Sequence, residues 1–189
     1  MGSDRLLTIT DLRAGWQRPV IGPLSLALER GEVVGLWGAN GSGKSTLLAA
    51  VADGARIFAG RIERAPGLTL AVQPQAPVRL PRLPVTGREL LRAAGADAHG
   101  LPDRLVSALD RRIDRFSGGQ YQLLCVWAAL RGNADLVLLD EPTNNLDPAH
   151  EALLADMLSR DAADRGVLVV SHERPFLERT CGRMLEVDR

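Results

Sequence analysis

The first 30 residues alternate apolar and polar positions, as in the stretches LLTITDL and PLSLALE, and the tripeptide RGE at 30–32 is a turn signal. Because successive side chains of a strand point to opposite faces, this period of two is typical of strands buried on one face. The pattern predicts an antiparallel ribbon at the start of the chain.

Three later apolar runs show no alternation: VVGLW (33–37), LVLL (136–139) and VLVV (167–170). Polar residues follow each of them at once. Runs of this length are typical of strands buried on both faces, in a parallel sheet covered by helices. Since ligands of such sheets bind beyond the carboxyl ends of the strands, the polar residues after each run are candidate site residues.

The segment at about 76–116 differs from its surroundings and predicts a helical lobe inserted between sheet strands. Its proline-dense start favours extended chain. A helix is predicted from Thr86, which is spaced with Glu89 as a capping box, and a second helix is predicted near Pro102, running through RLVSAL. The whole sequence is therefore predicted to be α/β, with a mostly parallel sheet, an N-terminal antiparallel β subdomain and an inserted helical lobe.

Composition and charge add little to this prediction of the fold, but they exclude some classes of function. With 189 residues, of which 46% are hydrophobic and 24% charged, residues 1–189 fit a single globular domain. Positive and negative side chains cancel at 23 each, so the chain has no global basic field and no nucleic acid partner is expected. No apolar run approaches the roughly 18 residues of a membrane span, and the polar start lacks the apolar centre of a secretion signal.

One loop carries the clearest chemical signal. Lys44 is the only lysine beside 22 arginines, and residues 38–46, GANGSGKST, match the phosphate-loop pattern G-x-x-x-x-G-K-[ST] between a predicted strand and a predicted helix. Such a loop aims backbone N–H groups at one anion, its lysine reaches the outer phosphates, and the Ser45 hydroxyl can hold Mg²⁺. The predicted core is thus that of a P-loop NTPase. The nucleotide-binding residues predicted here are Gly38, Asn40, Gly41, Ser42, Gly43, Lys44, Ser45 and Thr46.

Five further motifs resemble those of ATP-binding cassette (ABC) proteins and stand in that family's order. VQPQ (72–75) resembles the Q-loop, FSGGQ (116–120) the LSGGQ signature, LVLLDEP (136–142) the Walker B segment, and TNNLD (143–147) the D-loop. VVSHE then places His172 as the switch histidine. On these motifs, spread over nearly the whole chain, the sequence is identified as a member of the ABC family, whose ligand is ATP.

The acidic pair after the second apolar run suits phosphoryl transfer. Asp140 can orient waters around Mg²⁺ and Glu141 can polarise the attacking water, because this reaction needs mainly positioning and charge stabilisation. The resemblance implies that His172 contacts the γ-phosphate and acts with Glu141 and Lys44 in catalysis. In VQPQ either glutamine can be the Q-loop residue; Gln75 is favoured over Gln73, because the proline-rich extended stretch follows it directly, and it is assigned to the metal with Ser45 and Asp140.

The signature motif predicts a helix start. Ser117 is placed as an N-cap, which leaves the amides of Gly118 and Gly119 exposed at the positive end of the helix. The resemblance implies that this end faces the γ-phosphate of a second cassette, a copy of this chain or a homologue, with two ATP molecules between them in a head-to-tail dimer. Gln120 and Asp147 are assigned to the same interface.

Trp16 fits the family pattern, whereas the stretch after FSGGQ departs from it. Trp16, 28 residues before Lys44, stands where the family places an aromatic ring against adenine. After FSGGQ the family often continues with arginines, whereas this chain continues YQLLCVWAAL. The predicted signature helix is therefore unusually apolar.

Two functions fit the resemblance. In a transporter, a cassette binds integral-membrane permease subunits and couples ATP-driven closure of the dimer to transport, with the helical lobe at 76–116 as the docking surface. Such a cassette lies in the cytoplasm, attached peripherally to the inner face of the membrane. The stretch PQAPVRLPRLPVTGRELL is similar to compact cassettes of zinc and manganese importers, which suggests metal-ion uptake.

The alternative is a soluble ABC ATPase that acts as a conformational switch on the ribosome or another cytosolic assembly. TNNLD and SHERPFLERTCGRMLEVD are similar to the second half of cassettes in ribosome-associated translation factors. Those factors carry two cassettes joined by a charged helical linker, whereas this sequence shows one cassette and no linker. Its neutral charge balance also gives no support for binding ribosomal RNA. The transporter is the favoured interpretation.

Overall fold

Strands and helices alternate along the computed structural model, which describes residues 4–77 and 84–187. The strands are β1 (Arg5–Gly15), β2 (Pro19–Glu29), β3 (Val33–Trp37), β4 (Arg56–Arg64), β5 (Leu70–Gln73), β6 (Leu136–Asp140), β7 (Gly166–Val170) and β8 (Arg183–Glu186). The helices are α1 (Lys44–Val51), α2 (Gly87–Ala93), α3 (Asp103–Val106), α4 (Gly118–Arg131), α5 (Pro148–Asp161) and α6 (Arg174–Thr180), with a 3₁₀ turn at Ile113–Arg115.

The predicted ribbon forms the smaller sheet. Strands β1 and β2 pair antiparallel, and β4 pairs antiparallel with the other edge of β1. Leu7 and Ile9 of β1 are buried two residues apart, as the period of two predicts, and after a register shift between Ile9 and Leu12 the buried positions continue at Leu12 and Ala14. Strand β4 is not predicted from the sequence, because RIFAGRIER shows no clean alternation and most of its residues are exposed. This sheet covers one face of the larger sheet.

The three continuous apolar runs form the centre of the larger sheet. Its strand order is β5-β6-β7-β3-β8, with every neighbouring pair parallel. The prediction of a mostly parallel sheet is therefore confirmed. Since β6, β7 and β3 are adjacent, the polar residues that follow each of them meet at one edge of the sheet.

Alternate residues of these strands enter two separate apolar cores. Val34 and Leu36 of β3 pack with α1 and the antiparallel sheet, whereas Val33 packs on the opposite side with α4, α5 and α6. Both faces of the sheet are thus covered, which explains why its strands show no polar alternation.

The helical lobe follows β5 and ends at α4. The predicted capping box is present, because Thr86 Oγ1 accepts a hydrogen bond from the Glu89 amide at 3.2 Å and Glu89 Oε2 accepts one from the Thr86 amide at 2.8 Å. These hydrogen bonds from Thr86 lower the pKa of Glu89. Residues 78–83 of the proline-rich stretch lie outside the described residues.

The second predicted helix is shorter than expected. Helix α3 ends at Val106 instead of running through RLVSAL to residue 109. The physical reason is that carbonyl oxygens of this segment accept hydrogen bonds from the first amides of α2. Arg88 N donates to Leu109 O at 2.9 Å, and Gly87 N donates to Arg111 O at 3.2 Å. Residues 107–111 therefore form tight turns against the start of α2.

The signature helix is as apolar as the sequence indicates. Eight of its residues are buried, and Trp127 among them is fully buried and donates its indole N–H to the carbonyl oxygen of Asp97 at 2.8 Å. Helix α4 therefore packs as a core helix between the sheet and the lobe.

Candidate nucleotide site

The phosphate loop joins β3 to α1 and depends on its glycines. Gly38, Gly41 and Gly43 all have positive φ angles, of 155°, 81° and 101°. A Cβ atom on Gly43 would lie 2.8 Å from the Cβ of Ile21, and one on Gly38 would collide with the carbonyl oxygen of Val187. Gly38 and Gly43 therefore fit only as bare backbone, and the loop leads directly into the first amides of α1, which have no intrahelical acceptor.

Lys44 is held inside this loop. Only 6% of it is exposed, and its Nζ donates to the carbonyl oxygens of Gly38 at 2.8 Å and Ala39 at 3.0 Å. An ammonium group has three donors, and the third finds no partner among the described residues. Ser42 Oγ, in the same loop, is buried without a hydrogen-bond partner in the described part of the chain. An anion bound in the loop would satisfy both groups.

Asp140 connects the end of β6 to the start of α1. Ser45 Oγ donates to Asp140 Oδ1 at 3.0 Å. Burial raises the pKa of Asp140, the Ser45 hydrogen bond opposes this shift, and the neighbouring charge of Glu141 adds to it. A nearby cation would offset that cost of burying a carboxylate.

The Ser45–Asp140 pair fits a magnesium ion. Hydroxyl and carboxylate oxygens are ligands that Mg²⁺ accepts, and this ion usually takes its remaining ligands from water and substrate phosphates. Residues 4–77 and 84–187 contain no group of three or more His, Cys, Asp or Glu side chains that could form a complete protein cage. Ser45 and Asp140 would thus supply two of the oxygen ligands of such an ion.

Glu141 and His172 form a pair at the ends of β6 and β7. Glu141 is 8% exposed, has a φ of 48° and is fixed by its amide, which donates to Val170 O at 2.8 Å. Its Oε2 accepts hydrogen bonds from the His172 amide at 3.1 Å and from His172 Nδ1 at 2.8 Å. The other oxygen, Oε1, has no partner among the described residues. The Glu141 carboxylate can thus act as a proton acceptor, and the contacts at the end of β7 orient it.

These elements border one cavity of about 340 Å³ at the carboxyl edge of the parallel sheet. That volume lies within the usual range of small-molecule sites. It is lined by Val20, Asn40, Gly41, Gly43, Lys44, Ser45, Thr46, Gln75 and Glu141. Val20, which lies on β2 four residues after Trp16, was not predicted as a site residue. An apolar side chain outside every motif gives no indication of ligand binding.

The two glutamines of VQPQ lie in different environments. Gln73, the last residue of β5, is 3% exposed and its Nε2 makes a long hydrogen bond of 3.5 Å to Gln122 O, whereas Gln75 is exposed and lines the cavity. The geometry favours Gln75 as the residue that faces a bound nucleotide. Gln73 belongs to the packing between β5 and α4.

This difference gives the first testable prediction. We expect Gln75→Ala to lower kcat for ATP hydrolysis by about tenfold with an unchanged melting temperature, because one polar contact to the nucleotide site is lost. The matched variant Gln73→Ala should instead lower the free energy of unfolding by about 1–3 kcal/mol, because it removes a buried side chain. Kinetics and thermal melts of both variants check this, and the opposite assignment of effects would make Gln73 the Q-loop residue.

The remaining predicted site residues do not reach this cavity. Ser117 caps α4 and forms a capping box with Gln120, so that the amides of Gly118 and Gly119 are at the helix start, and a Cβ on Gly118 would meet no atom within 4 Å. Asp147 caps α5. Trp16, between β1 and β2, is 59% exposed. The described chain thus brings together one half of the predicted site, whereas Ser117, Gly118, Asp147 and Trp16 are exposed outside the cavity and Gly119 and Gln120 are partly buried.

The fold and this edge of the sheet define a class of protein. A glycine-rich loop holding a buried lysine, with an Asp-Glu pair two strands away in the sheet, is the arrangement of a P-loop nucleotide-binding protein. Within that class, residues 21–144 match the model of the ABC transporter family. The chain belongs to the ABC transporter family.

Individual relatives agree with this membership. Zinc import ATP-binding protein ZnuC of Marinobacter nauticus is 34% identical over 163 residues, which are 82% of this chain and 63% of that protein. Tylosin resistance ATP-binding protein TlrC of Streptomyces fradiae is 34% identical over 222 residues, covering 90% of this chain and 40% of that protein. The chain therefore spans less than two thirds of the length of both relatives.

A solved structure gives the same result for the fold. The ATP binding subunit of an ABC transporter is 28% identical and superimposes with a TM-score of 0.80, covering 97% of this chain and 86% of that one. The predicted architecture, with a parallel sheet, an antiparallel β subdomain and a helical lobe, is therefore that of known ABC proteins.

Proposed function

We propose that this chain binds ATP with Mg²⁺ and hydrolyses it as the ATPase subunit of a transporter. The observation that carries the proposal is the cavity at the carboxyl edge of the parallel sheet, where Lys44, Ser45, Gln75 and Glu141 meet. The lysine and the loop amides supply positive charge for the phosphates. The glutamate supplies a proton acceptor beside them.

Different residues of the site would carry out different parts of ATP hydrolysis. The loop amides and Lys44 hold the phosphates and stabilise the negative charge that develops on them. Glu141, oriented by its two hydrogen bonds from His172, accepts hydrogen bonds from the attacking water and aligns it. Ser45, Asp140 and Gln75 would hold Mg²⁺, which supplies Lewis-acid stabilisation of the phosphate oxygens when bound.

We infer that two cassettes act together. The start of α4 is open at Gly118, where a Cβ atom would meet nothing within 4 Å, but no residue of 116–120 is among those that line the cavity within the described chain. A helix start with free amides suits a phosphate. A second cassette packed head-to-tail would place its own signature helix over this cavity, and Asp147 would lie at the same interface. The exposed Trp16 would contact the adenine.

The partner proposed for the pair of cassettes is an integral-membrane permease. In the described part of the chain, no helix is both long enough and apolar enough to cross a bilayer. We propose that the cassette is attached through the permease to the cytoplasmic face of the membrane. The helical lobe is the proposed docking surface.

The proposed cargo is a divalent metal ion such as zinc. The support comes from the name of the Marinobacter nauticus relative, a zinc import protein, and from the similarity of residues 74–91 to importer cassettes. The cargo would cross through the permease and would not contact the ATP cavity.

A soluble ATP-driven switch is the second candidate. Its support is the likeness of TNNLD and SHERPFLERTCGRMLEVD to the cassettes of ribosome-associated translation factors. A tylosin resistance ATP-binding protein of Streptomyces fradiae is also as identical to this chain as the zinc import protein is. Both candidates use the same ATP chemistry. They differ in the assembly that the closed dimer engages.

A pull-down experiment separates the two. Tagged Glu141→Gln protein is expressed in cells, extracted in detergent with ATP and Mg²⁺, and its co-purifying proteins are identified by mass spectrometry. We expect a polytopic membrane protein in amounts comparable to the bait. Recovery of ribosomal or other soluble assemblies, with no membrane protein, would overturn the transporter in favour of the switch.

A further inference from the structure

His150 makes contacts that none of the motifs explains. It stands in the first turn of α5, three residues after the capping residue Asp147. Asp147 Oδ1 accepts a hydrogen bond from the His150 amide at 2.8 Å, and Oδ2 lies 2.8 Å from His150 Nδ1. Since a carboxylate accepts, the ring nitrogen is the donor. Both oxygens of Asp147 are thus bound by one residue, and these hydrogen bonds lower the pKa of the Asp147 carboxyl.

The same imidazole ring lies against the signature motif. A Cβ atom on Gly119 would lie 3.2 Å from Cγ of the His150 ring and 3.4 Å from Cδ2 and Nδ1. The ring therefore packs on the bare backbone of the first turn of α4, while the surface of Gly118 beside it stays open. The His150 side chain is only 20% exposed in this position.

We propose that His150 is a positioning residue that joins Asp147 to the first turn of α4. The inference rests on the proposed head-to-tail dimer, in which Asp147 and the amides of Gly118 and Gly119 all face the second cassette. Through the ring, a movement of the 143–147 segment is passed to the helix start that would meet the partner's phosphate. The ring thereby couples one ATP site to the other.

Helix capping alone does not account for the ring. The capping bond of α5 runs from the His150 backbone amide to Asp147 Oδ1, and every substitution at residue 150 except proline keeps that amide. Removal of the ring should therefore leave α5 formed while releasing Asp147 Oδ2 and the first turn of α4. This separation makes the proposal testable without unfolding the protein.

The test compares His150→Ala, His150→Asn and the control His99→Ala. The control removes an exposed histidine of the lobe whose backbone amide, and not its ring, contacts Asp97. We expect His150→Ala to lower kcat about tenfold, the factor for one lost charge-assisted hydrogen bond, and to reduce the Hill coefficient for ATP. The ATP dissociation constant and the melting temperature should stay unchanged. The side-chain amide of His150→Asn can donate to Asp147 Oδ2 and should restore most of kcat.

A second readout does not depend on turnover. Hydrogen exchange at the Gln120 and Tyr121 amides, which bond to Ser117, should become faster in His150→Ala and stay unchanged in His99→Ala. Equal kcat values for the alanine variants, an asparagine variant as slow as His150→Ala, or unaltered exchange would each overturn the link. If the parent protein itself does not hydrolyse ATP, the proposed function fails while the exchange rates still decide whether His150 holds α4.

Discussion

Replacement of Glu141 by glutamine is expected to lower kcat for ATP hydrolysis by about 100- to 1,000-fold, or about 2.7–4 kcal/mol of transition-state stabilisation. The carboxylate aligns the attacking water and accepts its proton, and an amide of the same size cannot take up that proton. Glutamine still offers an oxygen to the His172 amide and ring, so the pair that fixes the side chain is kept. The positive φ of residue 141 is also unaffected, since it is fixed by the backbone bond to Val170.

The ATP affinity of Glu141→Gln should therefore remain close to that of the parent protein. Because bound ATP is not consumed, the variant should accumulate as a dimer with ATP and Mg²⁺, which size-exclusion chromatography with light scattering detects. Glu178→Gln is the matched control, since Glu178 is exposed and pairs with Arg174 on α6. Hydrolysis by Glu141→Gln at the parent rate would remove Glu141 from the role proposed for it.

The order of the elements could be predicted wherever one physical signal dominated. The runs at 33–37, 136–139 and 167–170 are buried on both faces, so their apolar character depends little on the rest of the fold. The capping boxes at Thr86 and Ser117 are likewise local, because each closes within four residues. In such cases all the residues that form the interaction lie within one short segment, so the segment's sequence is enough to predict it.

Elements that depend on distant partners could not be predicted in the same way. Strand β4 is held by pairing with β1 some 50 residues earlier in the chain, and its own side chains are largely exposed. The choice between Gln73 and Gln75 depends on where β5 ends, because that point decides which of the two side chains is buried against α4. The contact of His150 with Gly119 joins two motifs that the sequence separates, and no spacing rule connects them.

Replacement of Lys44 by alanine is expected to weaken ATP binding by at least about 100-fold, because a charge-assisted contact to the phosphates is lost. Isothermal titration with ATP and Mg²⁺ measures this directly. Arg61→Ala is the control, since Arg61 is an exposed cation on β4 paired with Glu63. An unchanged affinity in Lys44→Ala would place the phosphates elsewhere.

Arginine at this position is expected to be nearly as damaging as alanine, although 22 arginines serve as the cations of the rest of the chain. Lys44 Nζ lies 2.8 and 3.0 Å from two loop carbonyl oxygens, in a space where only 6% of the residue is exposed. A planar guanidinium is larger than an ammonium and cannot direct single donors to both carbonyls and a phosphate within that space. The retention of one lysine in this chain thus has a steric reason.

The same rarity supplies a direct probe of the site. Because Lys44 is the only lysine in the sequence, selective ¹⁵N-lysine labelling gives a single backbone amide resonance, at the first residue of α1. We expect that resonance to shift on titration with ATP and Mg²⁺, since the first amides of a helix respond strongly to a bound phosphate. A shift with inorganic triphosphate but not with adenosine would assign the response to the phosphates, whereas a resonance that ATP leaves in place would contradict the phosphate site at Lys44.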